Sequence, residues 1–153
     1  MRITFPLFLF VCAAAGVTAA ADDIPVIPPV TYPADMSLED ATFAVENAIV
    51  GAGLVIDGTS HVGEMLARTK EDVGGTKDIF TDAVTYTFCS AQISRQVMEA
   101  DPTNVQFCPY AIFVYALTET PDQVIVGHQA YGGSMAPVND LLSGIVKDAL
   151  MLD

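Results

Sequence analysis

Basic residues are scarce in this sequence. Its 153 residues include only six Lys and Arg, against 19 Asp and Glu. Proteins that bind nucleic acid need Lys and Arg to neutralise phosphates, and proteins that dock on anionic lipid need the same side chains. The composition therefore argues against nucleic acid and anionic membranes as partners.

Catalytic motifs are scarce as well. The three cysteines form no Cys-x-x-Cys pair, which argues against thioredoxin-type chemistry, and no Cys-x-x-Cys-His, which excludes covalent haem attachment. Neither histidine lies in a nucleophile-elbow or triad pattern. Acid pairs such as Glu39-Asp40 lie at predicted helix ends, where they complement the helix dipole. We therefore expect a binding or interaction protein rather than an enzyme.

The first 21 residues have the pattern of a secretory signal peptide. Arg2 supplies the positive charge, residues 5–17 are apolar, and residues 19–21 form a small-residue cleavage site. The apolar run is short for a membrane span. We expect cleavage before Asp22, a periplasmic or secreted protein, and no stable membrane insertion afterwards; an uncleaved anchor is the alternative.

The rest of the chain divides into a lead-in and one domain. All 19 acids follow residue 21 whereas Arg2 precedes it, so the formal charge of residues 22–153 is 5 − 19 = −14. Four prolines in residues 22–36 disfavour helix and predict an extended lead-in, with an edge strand near residues 30–32. Residues 37–153 form a single domain that is long enough for a real core.

The chain is organised around residues 84–117, which have the pattern strand, helix, proline break, strand. Residues 110–117 are apolar on both faces, which is typical of a central strand that is covered on both sides. Helices must supply one cover, and a second copy of the molecule is a candidate for the other.

The remaining patterns complete the predicted fold. They predict helices over residues 38–52, 63–73 and 91–100 and from Pro137 onward, strands over residues 54–62 and 124–131, and a loop over residues 76–83. This order predicts an α+β two-layer sandwich, a mainly antiparallel sheet with helices on one face.

Cys89 and Cys108 are the two cysteines that follow the leader. In an oxidising compartment such a pair tends to close, and they can meet if residues 101–107 return the chain to the end of the sheet where Cys89 lies. A bridge needs Cα atoms within about 7 Å. A plain parallel crossover would instead leave two thiols at opposite ends, and a redox-active or metal-binding pair is a third alternative.

Four other residues are candidates for binding a ligand or a metal: His61, His128, Met98 and Met135. Histidine and methionine together suit haem or copper in an exported protein, and the two methionines are placed where both could line one cavity. Against this, isolated histidines are usually solvated or hydrogen-bonded, and methionines usually fill cores. The metal is unknown, and no cofactor is predicted.

Four segments resemble the bacterial family known as domain of unknown function 302. They are SLEDATFAVENAIVGAGL, FCSAQISRQVMEADP, CPYAIFVYAL and VIVGHQAYGG, and the resemblance covers about residues 30–150. Many members have Asn-Pro where this chain has Ser90-Ala91, and many exported members have a Tyr-Arg pair at residues 127–129. The resemblance implies an α+β fold that is often dimeric, without an agreed activity.

The sequence therefore predicts an exported ligand-binding or protein-interaction module. A homodimer, a small ligand or another protein are the candidate partners. The alternative is a redox or metal/haem accessory protein that uses Cys89 and Cys108 or the His and Met residues.

Overall fold

A computed structural model describes residues 27–153, which form a five-stranded sheet and its helices. The predicted signal peptide and the first residues of the lead-in lie outside this range. The strands are β1 (Val30–Ala34), β2 (Ile56–His61), β3 (Phe80–Phe88), β4 (Tyr110–Leu117) and β5 (Thr120–His128). The α-helices are α1 (Leu38–Gly51), α2 (Val62–Thr69), α3 (Ala91–Ala100) and α4 (Ala136–Ala149), and short 3-10 helices span Pro102–Phe107 and Gly133–Met135.

The sheet has the order β1-β5-β4-β3-β2, and every neighbouring pair is antiparallel. Strand β4 is central, as its apolar pattern predicts. The lead-in contributes β1, which pairs with β5 at one edge. The α+β fold with an antiparallel sheet packed against helices is confirmed. None of the helices formed by residues 27–153 has the length and apolar character needed to span a bilayer.

Helices α1 and α4 pack against each other and cover one face of the sheet. Ser37 caps α1, because its Oγ accepts a hydrogen bond from the Asp40 N–H at 3.1 Å. The buried stripe of α1 is Ala41, Val45, Ala48 and Ile49. The buried stripe of α4 is Val138, Leu142, Ile145, Val146 and Ala149. These apolar stripes meet the buried side of β3, β4 and β5 and form the core.

Several predicted boundaries were wrong. The loop predicted over residues 76–83 ends early, because β3 begins at Phe80, which pairs with Leu117. An irregularity in register between Phe80 and Asp82 breaks the alternation that signals a strand. Helix α2 ends at Thr69 rather than near residue 73, and β5 starts at Thr120 and ends at His128 rather than spanning residues 124–131.

Candidate functional site

Cys89 and Cys108 are joined by a disulfide at one end of the sheet. Helix α3 carries the chain away from β3, and the 3-10 helix Pro102–Phe107 brings it back, so that the two Cα atoms lie 6.4 Å apart. Phe88, directly before Cys89, and Tyr110, two positions after Cys108, are paired in the sheet. The chain therefore takes the returning path, and a parallel crossover is excluded.

Aromatic and polar side chains surround this disulfide. The hydroxyl groups of Ser94 and Tyr110 lie 3.0 Å apart, and the Ser94 Oγ lies 4.0 Å from the Cys108 Sγ. Tyr131 packs edge-on against Phe107, with ring centroids 5.5 Å apart. Burial raises the pKa of the Tyr131 hydroxyl, and the neighbouring Tyr110 raises it further. The cluster is densely packed, which favours a structural role for the disulfide.

His128 lies at the end of β5 and is completely buried. Its Nδ1 is 2.8 Å from the carbonyl oxygen of Gln129, and its Nε2 is 3.0 Å from the Oγ of Ser143 on α4. A carbonyl only accepts, so Nδ1 carries the proton and Nε2 accepts from the Ser143 hydroxyl. Burial lowers the pKa of His128, and the hydrogen bond to Gln129 partly opposes that change. Both ring nitrogens are occupied, which leaves none for a metal in this conformation.

The pairing of Ser143 with His128 was missed by sequence reasoning. The two residues are 15 positions apart on different elements, and no local motif marks them. In this pair the serine hydroxyl donates its hydrogen bond to a neutral imidazole, which is the same direction as in a serine nucleophile and its general base. Here, however, the imidazole is fully buried, and the pair connects α4 to β5.

The other candidate ligands do not gather around His128. His61 is exposed at the end of edge strand β2, and β3 and β4 separate it from β5. Three strand spacings of about 4.8 Å put the histidines roughly 14 Å apart or more, which is too far for one metal ion. Met135 is buried in the core, and Met98 packs against the core from α3. Within residues 27–153 no three His, Cys, Asp or Glu side chains form a potential metal site.

The sheet face that points away from α1 and α4 is the second feature of interest, and we call it the open face. Along β4 the side chains on the helix side are buried, whereas those on the open face are half-buried. By register the open face consists of Thr31, Pro33, Gly58, Ser60, Phe80, Ala83, Thr85, Thr87, Ala111, Phe113, Tyr115, Leu117, Thr120, Ile125 and Gly127. None of these positions carries Asp, Glu, Lys, Arg or His, in a chain with 19 acids.

Aromatic rings form the middle of the open face. Tyr115 lies between Phe80 and Phe113, with ring centroids 5.6 Å and 6.0 Å away. Gly127 lies beneath Phe113, where a Cβ atom would come within 2.7 Å of the ring and 2.5 Å of the Val30 carbonyl oxygen. The glycine lets β1, β5 and the Phe113 ring approach one another closely.

Comparison with known proteins agrees with this fold. A family model described as "Domain of unknown function DUF302" matches residues 30–150. No curated protein matches the chain. A crystal structure of an uncharacterized conserved DUF302 protein from Bacillus stearothermophilus is similar, with a TM-score of 0.54 and 15% sequence identity over 79% of this chain and 86% of that chain. At that identity the likeness shows the fold alone. Since the family model covers nearly all of the described residues, the chain belongs to the DUF302 family.

Proposed function

We propose that this protein is an exported, non-enzymatic interaction module whose open face binds a second copy of itself. The observation that carries the proposal is the half-buried, uncharged aromatic surface around Tyr115. Antiparallel sheets that face water usually carry polar side chains on that side. Here β4 instead presents Ala111, Phe113, Tyr115 and Leu117, which is typical of a surface that is buried against a binding partner.

Charge favours a second copy over a different partner. A cationic partner would be attracted to acids, and the open face has none among the described residues, although residues 22–153 carry a formal charge of −14. In a symmetric dimer the same surface of both copies forms the interface, so a charged side chain near the two-fold axis would face the identical charge on the other copy. An uncharged face avoids this repulsion.

The size of the face is also adequate. Five strands at about 4.8 Å and strands of roughly 25 Å give an area near 600 Å² for each copy. The total of about 1,200 Å² is at the lower limit for specific protein–protein interfaces. Such an area predicts a dimer of moderate affinity that dissociates on dilution.

Export is the second part of the proposal. Its support is the leader pattern in residues 1–21 together with the Cys89–Cys108 disulfide, since disulfides persist mainly in oxidising compartments.

The alternative of a redox accessory protein is supported by the same disulfide, whose two cysteines are half-buried rather than completely buried. Thiol counting before and after mild reductant separates the two functions. A bond that resists mild reductant in the native protein favours the interaction module.

Light scattering coupled to size-exclusion chromatography tests self-association. We expect the mass of two chains for the wild type and of one chain for Tyr115→Glu, because the substitution places a charge at the centre of the open face. Phe43→Glu is the matched control, since Phe43 is 70% exposed on α1, on the other side of the sheet. A wild type that is monomeric at high concentration, or a dimer lost in Phe43→Glu and kept in Tyr115→Glu, contradicts the proposal.

A further inference from the structure

A groove runs between α2 and the residues that lead into β3. Its volume is about 230 Å³, and its apolar lining includes Leu66, Ala67, Val73, Ile79 and Phe80. Gly63, Leu66, Ala67 and Lys70 recur at helical spacing and form one wall. Val73 and Ile79 are 75% and 47% exposed, so the other wall presents apolar side chains to solvent.

A tight turn after α2 shapes this groove. The Gly75 N–H donates to the Lys70 carbonyl at 2.7 Å, and Gly74 has a positive φ of 73°. Gly75 lies so close to Lys70 that a Cβ atom there would come within 3.0 Å of the Lys70 carbonyl oxygen. The turn folds the chain back along α2 and holds the two walls side by side.

The charged residues at the rim of the groove carry a net charge of 2 − 1 = +1, whereas the net charge of the whole chain is negative. Lys70 and Lys77 line it together with one acid, Asp78. The Lys70 Nζ lies 2.9 Å from the Asp78 Oδ1, whereas Lys77 makes no ion pair with another described residue. By contrast, the cleft between α1 and α4 is lined by Asp140 and Asp148.

We propose that this groove binds a small anionic amphiphile, namely a carboxylate with an aliphatic tail. The tail lies against the apolar walls, and the carboxylate pairs with Lys77 and competes with Asp78 for Lys70. If each heavy atom takes about the 30 Å³ that a water molecule occupies in the liquid, the groove holds roughly eight heavy atoms. That size fits the eight carbon atoms of octanoate, whose two carboxylate oxygens then lie at the rim beside the lysines. The site lies within one chain and shares Phe80 with the open face.

Titration of the 15N-labelled protein with octanoate, followed by heteronuclear NMR, tests the proposal. We expect saturable shifts of the amides of Gly63, Ala67, Gly75 and Ile79. Octyl glucoside has a similar tail and no charge, so it should bind about threefold to fivefold more weakly, which is the contribution expected of an exposed ion pair. Octylamine should bind more weakly still. Propionate should not bind, because it lacks the tail.

Charge variants identify the residues that bind the head group. Lys77→Gln should weaken octanoate binding about threefold, whereas Asp78→Asn should strengthen it to a similar degree, because Lys70 is then released and the opposing charge removed. Lys147→Gln and Asp148→Asn remove the same charges on α4, away from the lining, and serve as matched controls. Neither Lys77→Gln nor Asp78→Asn should change the affinity for octyl glucoside.

Tail variants and competing ligands complete the test. Val73→Ser and Ile79→Ser replace exposed side chains, so the fold should tolerate them, and each should weaken octanoate and octyl glucoside alike. Octylamine binding as tightly as octanoate, or unchanged affinity in Asp78→Asn, would overturn the proposal. The proposal would also be overturned if a peptide with a free C-terminal carboxylate shifted the NMR signals of these amides and octanoate did not.

Discussion

The Nε2 atom of His128 lies 3.0 Å from the Oγ of Ser143, which links the end of β5 to the middle of α4. The imidazole is fully buried and donates its Nδ1 proton to the Gln129 carbonyl. The Ser143 hydroxyl is therefore the donor that satisfies the remaining nitrogen, and the two contacts fix the tautomer of the ring.

Replacement of this donor should destabilise the fold. Ser143→Ala leaves the Nε2 of His128 buried without a partner, and we expect the free energy of unfolding to fall by about 1–3 kcal/mol. Urea denaturation measures the change. Ser60→Ala is the control, because Ser60 is exposed on β2, and its effect should stay within about 0.5 kcal/mol. Equal effects of the two substitutions would contradict this role for Ser143.

Stability should also fall as the solution becomes acidic, in part through His128. Burial lowers the pKa of His128 in the native state, so between that value and the unfolded value near 6.5 the unfolded chain binds more protons. The stabilisation is present above about pH 6.5 and is lost as the pH falls toward the lowered native pKa. Urea denaturation between pH 7.5 and 5 should give a flatter dependence for His128→Gln than for the wild type. If stability depends on pH as steeply in His128→Gln as in the wild type, the prediction is refuted.

The disulfide should contribute strongly to stability. Cys89 and Cys108 are 19 positions apart, and closing a loop of that size stabilises a protein by about 3 kcal/mol relative to the open chain. We expect Cys108→Ser with Cys89→Ser to lower the free energy of unfolding by about 2–4 kcal/mol. A reductant should shift the urea midpoint of the wild type and leave that of the double variant unchanged. If the reductant shifts neither midpoint, the bond is absent from the protein in solution.

Gly127 should tolerate no side chain, because two neighbours occupy the space. A Cβ atom there would meet the Val30 carbonyl oxygen at 2.5 Å and the Phe113 ring at 2.7 Å. Gly127→Ala should therefore cost about 1–3 kcal/mol in the free energy of unfolding. Gly144→Ala is the control: its Cβ meets nothing within 4 Å on α4, so it should stabilise the helix by about 0.5–1 kcal/mol. Thermal unfolding of both variants measures the difference, and a neutral Gly127→Ala would show that β1 shifts freely.

The proposed dimer should become tighter as salt is added. Each copy carries a formal charge of −14 over residues 22–153, and charges of one sign repel across the whole assembly. The screening length falls from about 30 Å at 0.01 M salt to about 10 Å at 0.1 M. We therefore expect the dissociation constant of the dimer to fall by at least about tenfold over that range. Sedimentation equilibrium measures it, and a dimer that weakens with salt would show that ion pairs hold it together.

Local patterns were sufficient to predict the elements and the fold class. Ser37 marks the start of α1, and Asp101-Pro102 marks the end of α3, because capping and proline sterics act over a few residues. Residues 110–117 are apolar on both faces, and this predicted a central strand, since a strand that is buried on both sides has a continuous apolar run instead of alternating apolar and polar residues. The start of β3 was missed because an irregular register hides the alternation.

Only the tertiary structure decided which distant residues meet. The sequence left the pairing of Cys89 with Cys108 open, because it depends on the path of residues 101–107. It could not pair His128 with Ser143 or separate His128 from His61, since those distances follow from strand order and helix packing. The open face likewise exists only once the strands are assembled, because it draws its residues from all five of them. The groove comes from the single stretch of residues 63–80, but it forms only because the turn between Lys70 and Gly75 folds that stretch back on itself.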